Sequence, residues 1–384
     1  MKRFGIVQTF GLALLVFAAC SGLRIPQPLN VDSADWPTFA KSENRANSTE
    51  EAIIPPLTLE WEFDITGGIG NGSPLVIDSV LLIGNLRGEL YALNAYTGKR
   101  IGWVDLGEAI QGAPEIDGNV AIVAVSSSEL SLIGFDLVEG KPRWRKEYGD
   151  IEASPLLYRQ RVYVGNAEGE FFCVDPATGE RIWKFEVPEN VKRKGIRSSA
   201  AANSGMVVFG ADDGALYALD WDSGQLRWKS STDAGVVGSP CIAGDVVCAA
   251  NLGGTVYGID LESGARRWQV DAGSPIYASV SYAANKVFVG TTGGTMYALD
   301  AVSGAVIWMQ QLGSVINSGA VIANDILYVG TLKKNLFGLK IDDGTIVVKQ
   351  DVPGRIKTSP AVARGRLYVA TDERLILAFK GSAL

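Results

Sequence analysis

The sequence predicts an all-β protein, an eight-bladed β-propeller of four-stranded antiparallel blades. Three observations carry that expectation: one motif recurs eight times, each copy holds four short strand signals, and the copies are offset so that the two chain ends complete one sheet. The motif's anchor is a small residue followed by Pro or a small apolar residue. It stands at Ser73-Pro74, Ala113-Pro114, Ser154-Pro155, Ser199-Ala200, Ser239-Pro240, Ser279-Val280, Gly319-Ala320 and Ser359-Pro360, in steps of 40, 41, 45, 40, 40, 40 and 40 residues. A repeat ring is one cooperative body, so the period outweighs a domain count based on length.

In chain order, the first element lies outside the repeat. Lys2 and Arg3 precede the apolar run Phe4 to Phe17, which ends in Ala18-Ala19-Cys20, the layout of a secretory signal too short to stay in a bilayer as a spanning helix. Phe17-Ala18-Ala19-Cys20 resembles a lipobox, so residues 1–19 are expected to be a lipoprotein signal peptide and Cys20 the acylated first residue. Residues 20–35, with Pro26 and Pro28, read as the lipidated cysteine and a flexible tether, and 36–384 as the propeller. By resemblance to bacterial lipoprotein sorting, Ser21 favours the outer membrane, on its periplasmic side.

Leu59 to Phe63 is expected to be an outer strand that precedes any first blade. Each repeat then supplies four strands. In the sixth copy the anchor opens the innermost strand, Val287-Phe288-Val289-Gly290 is the second, Gly294 to Asp300 the third and Ala305 to Trp308 the fourth. The outer-strand tryptophan recurs as Trp61, Trp103, Trp144, Trp183, Trp228, Trp268 and Trp308, with Val348 in the remaining slot. The last copy stops at Phe379 without an outer strand, so Leu59 to Phe63 should supply it and close the ring. The turns Asp175 to Gly179, Asp260 to Gly264 and Asp300 to Gly304 fit a structural role: Asp binds the local backbone, Gly takes a positive φ, and the following Trp packs over the turn.

Histidine is absent, which removes Ser-His-Asp and Cys-His nucleophile systems and histidine metal sites; no catalytic residue, metal ligand or cofactor is assigned. The formal net charge of −7, more negative once Lys2 and Arg3 are removed, argues against nucleic-acid binding. Cys241 and Cys248 would face each other across a hairpin closed by Gly244-Asp245, either as a cross-strand disulfide or as two small apolar side chains.

Two breaks in the period mark the candidate site. Two residues before each anchor, where the chain enters the channel mouth, the series runs Asn71, Gln111, Glu152, Arg197, Val237, Tyr277, Asn317 and Lys357, polar in all copies but one and varied along the ring. The 45-residue step lengthens the connection from Trp183 to Ser199 with the basic run Val191-Lys192-Arg193-Lys194-Gly195-Ile196-Arg197. Lys333, Lys334, Arg355 and Lys357 fall on the same end of the ring, and Asp222, Glu262, Asp342 and Asp343 on the other, so the mouth end is a candidate partner face.

The stretch Leu216-Tyr217-Ala218-Leu219-Asp220 through Ser223-Gly224 to Trp228 resembles the PQQ-like β-propeller repeat, and the likeness runs from Trp36 to Phe379. Two groups share that repeat: quinoprotein dehydrogenases and the BamB-type outer-membrane lipoproteins. The dehydrogenase pattern implies a Glu, Asn and Asp calcium set and vicinal cysteines; this chain has Glu152 and Asn317 at the mouth but no Asp there and no vicinal pair. Resemblance to the BamB type implies a non-catalytic ring that assists the β-barrel assembly machinery. Val191, Lys192, Arg193, Lys194, Arg197 and Asp233 would then be the partner contacts. Two departures stand: Trp36-Pro37-Thr38-Phe39 is closer to general PQQ-like proteins, and Arg193 occupies an expected apolar contact. A small-molecule or glycan binder at the mouth is the alternative reading.

Overall fold

The computed structural model describes residues 22–126, 130–188 and 193–382, all strand, turn and loop. Residues 1–19, Cys20, Val191 and Lys192 lie outside the described residues. Eight four-stranded antiparallel sheets form the blades; seven run in sequence order from the channel to the rim, the eighth takes its rim strand from the N-terminal segment, and Ser48–Thr49 adds in parallel to the inner strand of the seventh. Blade 1 consists of Leu75–Ile77, Val80–Gly84, Glu89–Asn94 and Arg100–Asp105. Its second strand is buried at every position because neighbouring blades cover both faces, which is why such strands read as unbroken apolar runs. Outer strands such as Leu226–Ser231 alternate exposed and buried residues. The outer strand Thr58–Asp64 pairs antiparallel with Leu375–Lys380, Trp61 opposite Ala378, so the first strand after the N-terminal segment closes the last blade as expected.

A register shift falls between the third and fourth strands of each blade, as at Ala218/Leu219 and Ala298/Leu299. The bulge rotates the next outer-strand residue onto the adjacent blade's turn. Trp61 lies against Gly98 there, where an added Cβ would come within 2.6 Å of the indole, and its ring N–H donates to the Ala95 carbonyl at 3.0 Å. Trp144, Trp228, Trp268 and Trp308 donate in the same way to Pro176, Leu261, Ala301 and Ile341. Trp183 covers Gly224 but among the described residues its indole nitrogen has no partner, since the Tyr163 hydroxyl takes the Trp221 carbonyl instead.

Two expectations are corrected. Trp103 does not hold the blade 1 slot: Gly102 pairs with Ala92, and Trp103 stacks on Tyr91 from the opposite face, with ring centroids 6.1 Å apart. The segment read as a flexible tether is pinned to the ring near its start, with Leu23 and Ile25 buried and the Ile25 amide donating to the Leu137 carbonyl at 2.8 Å, while Pro26 to Pro28 and Asn30 to Ser33 are exposed. Cys241 and Cys248 are cross-strand partners as placed, and of the two readings the structure has the second: both are free thiols in the core.

The N-terminal segment continues across the base of the channel and touches every blade. Trp36 bridges Val76, Thr38 meets Glu115, and Arg45 donates to the Pro155 and Ala200 carbonyls. The carbonyls of Glu43, Asn44, Ala46 and Asn47 then accept the amides of Ala202, Ile242, Tyr282 and Ile322 on four successive inner strands. Asp35 completes the circuit with Arg364 at 2.8 Å. Inner strands have no partner on their channel side, and this segment satisfies those exposed backbone groups.

Candidate functional site

At the other end of the channel the inner strands are tied by their anchors. Ser154, Ser199, Ser239 and Ser279 each accept, through Oγ, the amide of the preceding blade's anchor, at 2.9 to 3.1 Å. This explains why a small hydroxyl residue recurs there: it must fit at the crowded axis and reach one blade across. Above this ring the chain flares into a cavity of about 430 Å³ whose lining includes Phe39 from the base segment, so it is blind.

Asn71, Glu152, Arg197, Val237, Tyr277, Asn317 and Lys357, all expected at the mouth, line this cavity together. Gln111 does not line it; its carbonyl accepts the amides of Asn71 and Gly72 at 2.8 Å, which ties blade 2 to blade 1. Arg193 joins the lining, and sequence reasoning had placed it on the docking loop without reaching the cavity. Phe39 was also missed, because nothing in its local pattern says that the N-terminal segment crosses the channel.

The charges at the mouth are arranged in partly neutralised groups. Arg197 lies 3.7 Å from Glu152 and 3.6 Å from Asp212, and burial pushes the Asp212 carboxyl above its ordinary range against the pull of Arg197 and Arg193. Lys357 lies 3.6 Å from Asp372, which also accepts the Arg355 amide at 2.7 Å. Arg193, Lys194, Gly195 and Arg197 border a second depression of about 330 Å³ that opens beside the first. Asp233 sits on this end too, but its carboxylate accepts the Tyr257 hydroxyl at 2.7 Å and an Asn251 amide proton. Those bonds hold its carboxyl below the usual range, despite a small opposing effect of burial, and turn it toward the third strand of the next blade. The Asn317 Oδ1 at the cavity wall is buried without a hydrogen-bond partner among the described residues. Among the described residues no group of three or more Cys, Asp or Glu is arranged to hold a metal ion.

The sequence model of the family described as "Outer membrane protein assembly factor BamB" matches residues 58–198, 173–314 and 294–383. Outer membrane protein assembly factor BamB of Burkholderia pseudomallei is 25% identical over 277 residues, covering 66% of each chain. The crystal structure of BamB from Moraxella catarrhalis superposes with a TM-score of 0.70 at 20% identity, covering 85% of this chain and 100% of that one. A quinohemoprotein alcohol dehydrogenase from Pseudomonas putida reaches 0.78 at 15% identity, covering 93% and 83%. At those identities both structures bear on the fold alone. The matches to the BamB relatives span from 46% to 66% of those proteins' own length.

Proposed function

From the chain's membership of the outer membrane protein assembly factor BamB family, we propose that it is a non-catalytic scaffold that assists insertion of outer-membrane β-barrel proteins. In this reading Cys20 carries the lipid that holds it on the periplasmic side of the outer membrane, and the β-barrel assembly machinery is its partner. The observation that carries the docking face is the basic strip Arg193, Lys194 and Arg197, which borders both depressions on one end of an acidic ring. Rim charges of this kind steer encounter and fix register, so partner capture should weaken as salt rises.

The geometry selects the test. Arg197 lies between Glu152 and Asp212, so reversing it would add a like charge beside two carboxylates and disturb the mouth. Arg193 also acts on Asp212, so Arg193→Gln with Lys194→Gln, which removes both positive charges without adding a carboxylate, avoids that. This pair should leave the melting temperature nearly unchanged and sharply reduce capture of the partner from solubilised membranes. Glu262→Lys with Asp342→Lys, in turns on the opposite end, should leave capture intact. Equal capture by both double variants would remove the strip from the interface.

A second reading is favoured by the blind cavity. Phe39 and Tyr277 offer aromatic surface, Asn317 an unused acceptor, and Arg193, Arg197 and Lys357 positive charge, a set suited to a small hydroxylated anion. Binding of such a ligand, abolished by Asn317→Leu and unaffected by Glu262→Lys, would support it.

A further inference from the structure

Six of the eight seams between blades are closed by a tryptophan lying on the neighbouring turn glycine. The two exceptions are Gly102, at the seam of blades 1 and 2, and Val348, at the seam of blades 7 and 8. The N-terminal segment fills both. At the second, the Ser382 amide and hydroxyl donate to the Ile54 carbonyl, and the buried Tyr328 hydroxyl to that of Ile53. At the first, a Cβ on Gly102 would lie 2.7 Å from the Gly22 oxygen and 3.0 Å from the Leu23 Cα. The Ile25 amide donates to Leu137, the carbonyl equivalent to those that accept indole N–H groups at the tryptophan seams. Residues 22–25 therefore stand in for the missing tryptophan and belong to the ring.

This leaves almost no tether. Three peptide steps separate Cys20 from the buried Leu23, a reach of at most about 11 Å. The seam they enter lies at the outer rim on the end opposite the cavity, beside the turn Asp136 to Gly140, with Arg24, Arg100 and Lys141 exposed around it. Resting on the lipoprotein reading of Phe17 to Cys20, we infer that this rim is a membrane-contacting surface: an acyl group on Cys20 clamps the seam of blades 1 and 2 to the lipid headgroups. The cavity and the Arg193 to Arg197 strip then face the aqueous side, and blades 5 and 6 stand farthest from the bilayer. A long flexible tether would impose no such orientation, whereas three residues transmit the anchor's position to the ring.

The test uses the full lipidated chain in vesicles that contain a nitroxide-headgroup lipid, with a fluorophore at one engineered cysteine. Cys173, Cys241 and Cys248 are buried and do not compete for label. Glu139→Cys reports the clamped rim, Glu108→Cys the mouth end of the same seam, and Val302→Cys the base of blade 6. Quenching should be several-fold stronger at position 139 than at the other two. Inserting about ten Gly and Ser residues between Ser21 and Gly22 should level the three signals while the protein stays on the vesicles. Equal quenching at all three positions of the uninserted, vesicle-bound protein overturns the clamp. Cys20→Ala separates the two readings: if it sediments with membranes like the parent, the lipid anchor is wrong and the clamp falls with it.

Discussion

Arg45 is a fully buried charge at the base of the ring, and its partners show how one residue joins three blades. It donates to the carbonyls of Phe39, Pro155 and Ala200 and to the Thr38 hydroxyl, which in turn donates to Glu115 Oε2 at 2.6 Å. Burial raises the Glu115 carboxyl to about 7, against the opposing pull of Arg45, of the Thr38 hydroxyl and of two backbone amides. A carboxyl raised in the folded state binds its proton more tightly there than in the unfolded chain. Its contribution to stability is therefore complete below the ordinary value of 4.5 and is lost as pH rises through about 7. Urea midpoints should fall between those two pH values in the parent and fall less in Glu115→Gln, which keeps a group for Thr38 but has nothing to titrate. Equal slopes would mean that Glu115 is ionised throughout. Arg45→Met should cost about 3 to 5 kcal/mol above that range, because it leaves a buried carboxylate without its countercharge. None of this was legible in Lys41 to Glu51, a polar stretch that reads as loop. Periodicity reports which residues leave water, and here the burial is polar, bought by unpaired inner-strand amides elsewhere in the chain.

At the scale of elements, the strands, their order and the closing strand were all legible, because apolar alternation and turn residues are local signals. The slot in blade 1 was misread for a reason that is also local. Trp103 stands one residue beyond Gly102, and in a strand a shift of one position moves a side chain to the opposite face. The slip hid the vacancy, and with it the reason that Leu23 and Ile25 are buried in a lead where another apolar residue, Val31, stays exposed. Leu23→Ala and Ile25→Ala should each destabilise the ring by about 2 to 5 kcal/mol, as expected for buried aliphatic truncation. Gly102→Trp gives a sharper test, since its sign depends on the background. In the full chain the indole would collide with Gly22 and Leu23 and lower the melting temperature. In a chain that starts at Pro26 the same substitution should raise it, by restoring the contact made at the six tryptophan seams. A fall in both backgrounds would show that residues 22–25 merely rest on the seam.

For the whole molecule, closure and function depend on one stretch of chain. The strand Thr58–Asp64 completes blade 8, Ile53 and Ile54 fill its seam with blade 7, the base segment crosses all eight inner strands, and residues 22–25 complete the seam of blades 1 and 2. The ring is thus bound by a cord that begins at the proposed anchor, and the mouth stays open on the opposite end. The eightfold period accounts for the scaffold; the individual character of the mouth, Asn71 through Lys357, accounts for what it presents. Only the members of that series that line a common cavity could be placed by counting from the anchors, whereas the partners of Arg197 and Asp233 come from neighbouring blades and depend on how the ring curves. A chain lacking residues 58–64, with the flanking segment joined by a Gly-Ser linker, tests whether closure is required. Its strand Leu375–Lys380 would be an unpaired edge with buried apolar neighbours, open to pairing with a second copy. The expected product is oligomeric on gel filtration and unfolds in a broad transition well below the parent's. If it remains monomeric and melts like the intact chain, the clasp contributes little, and cohesion rests on the seam tryptophans and the base segment alone.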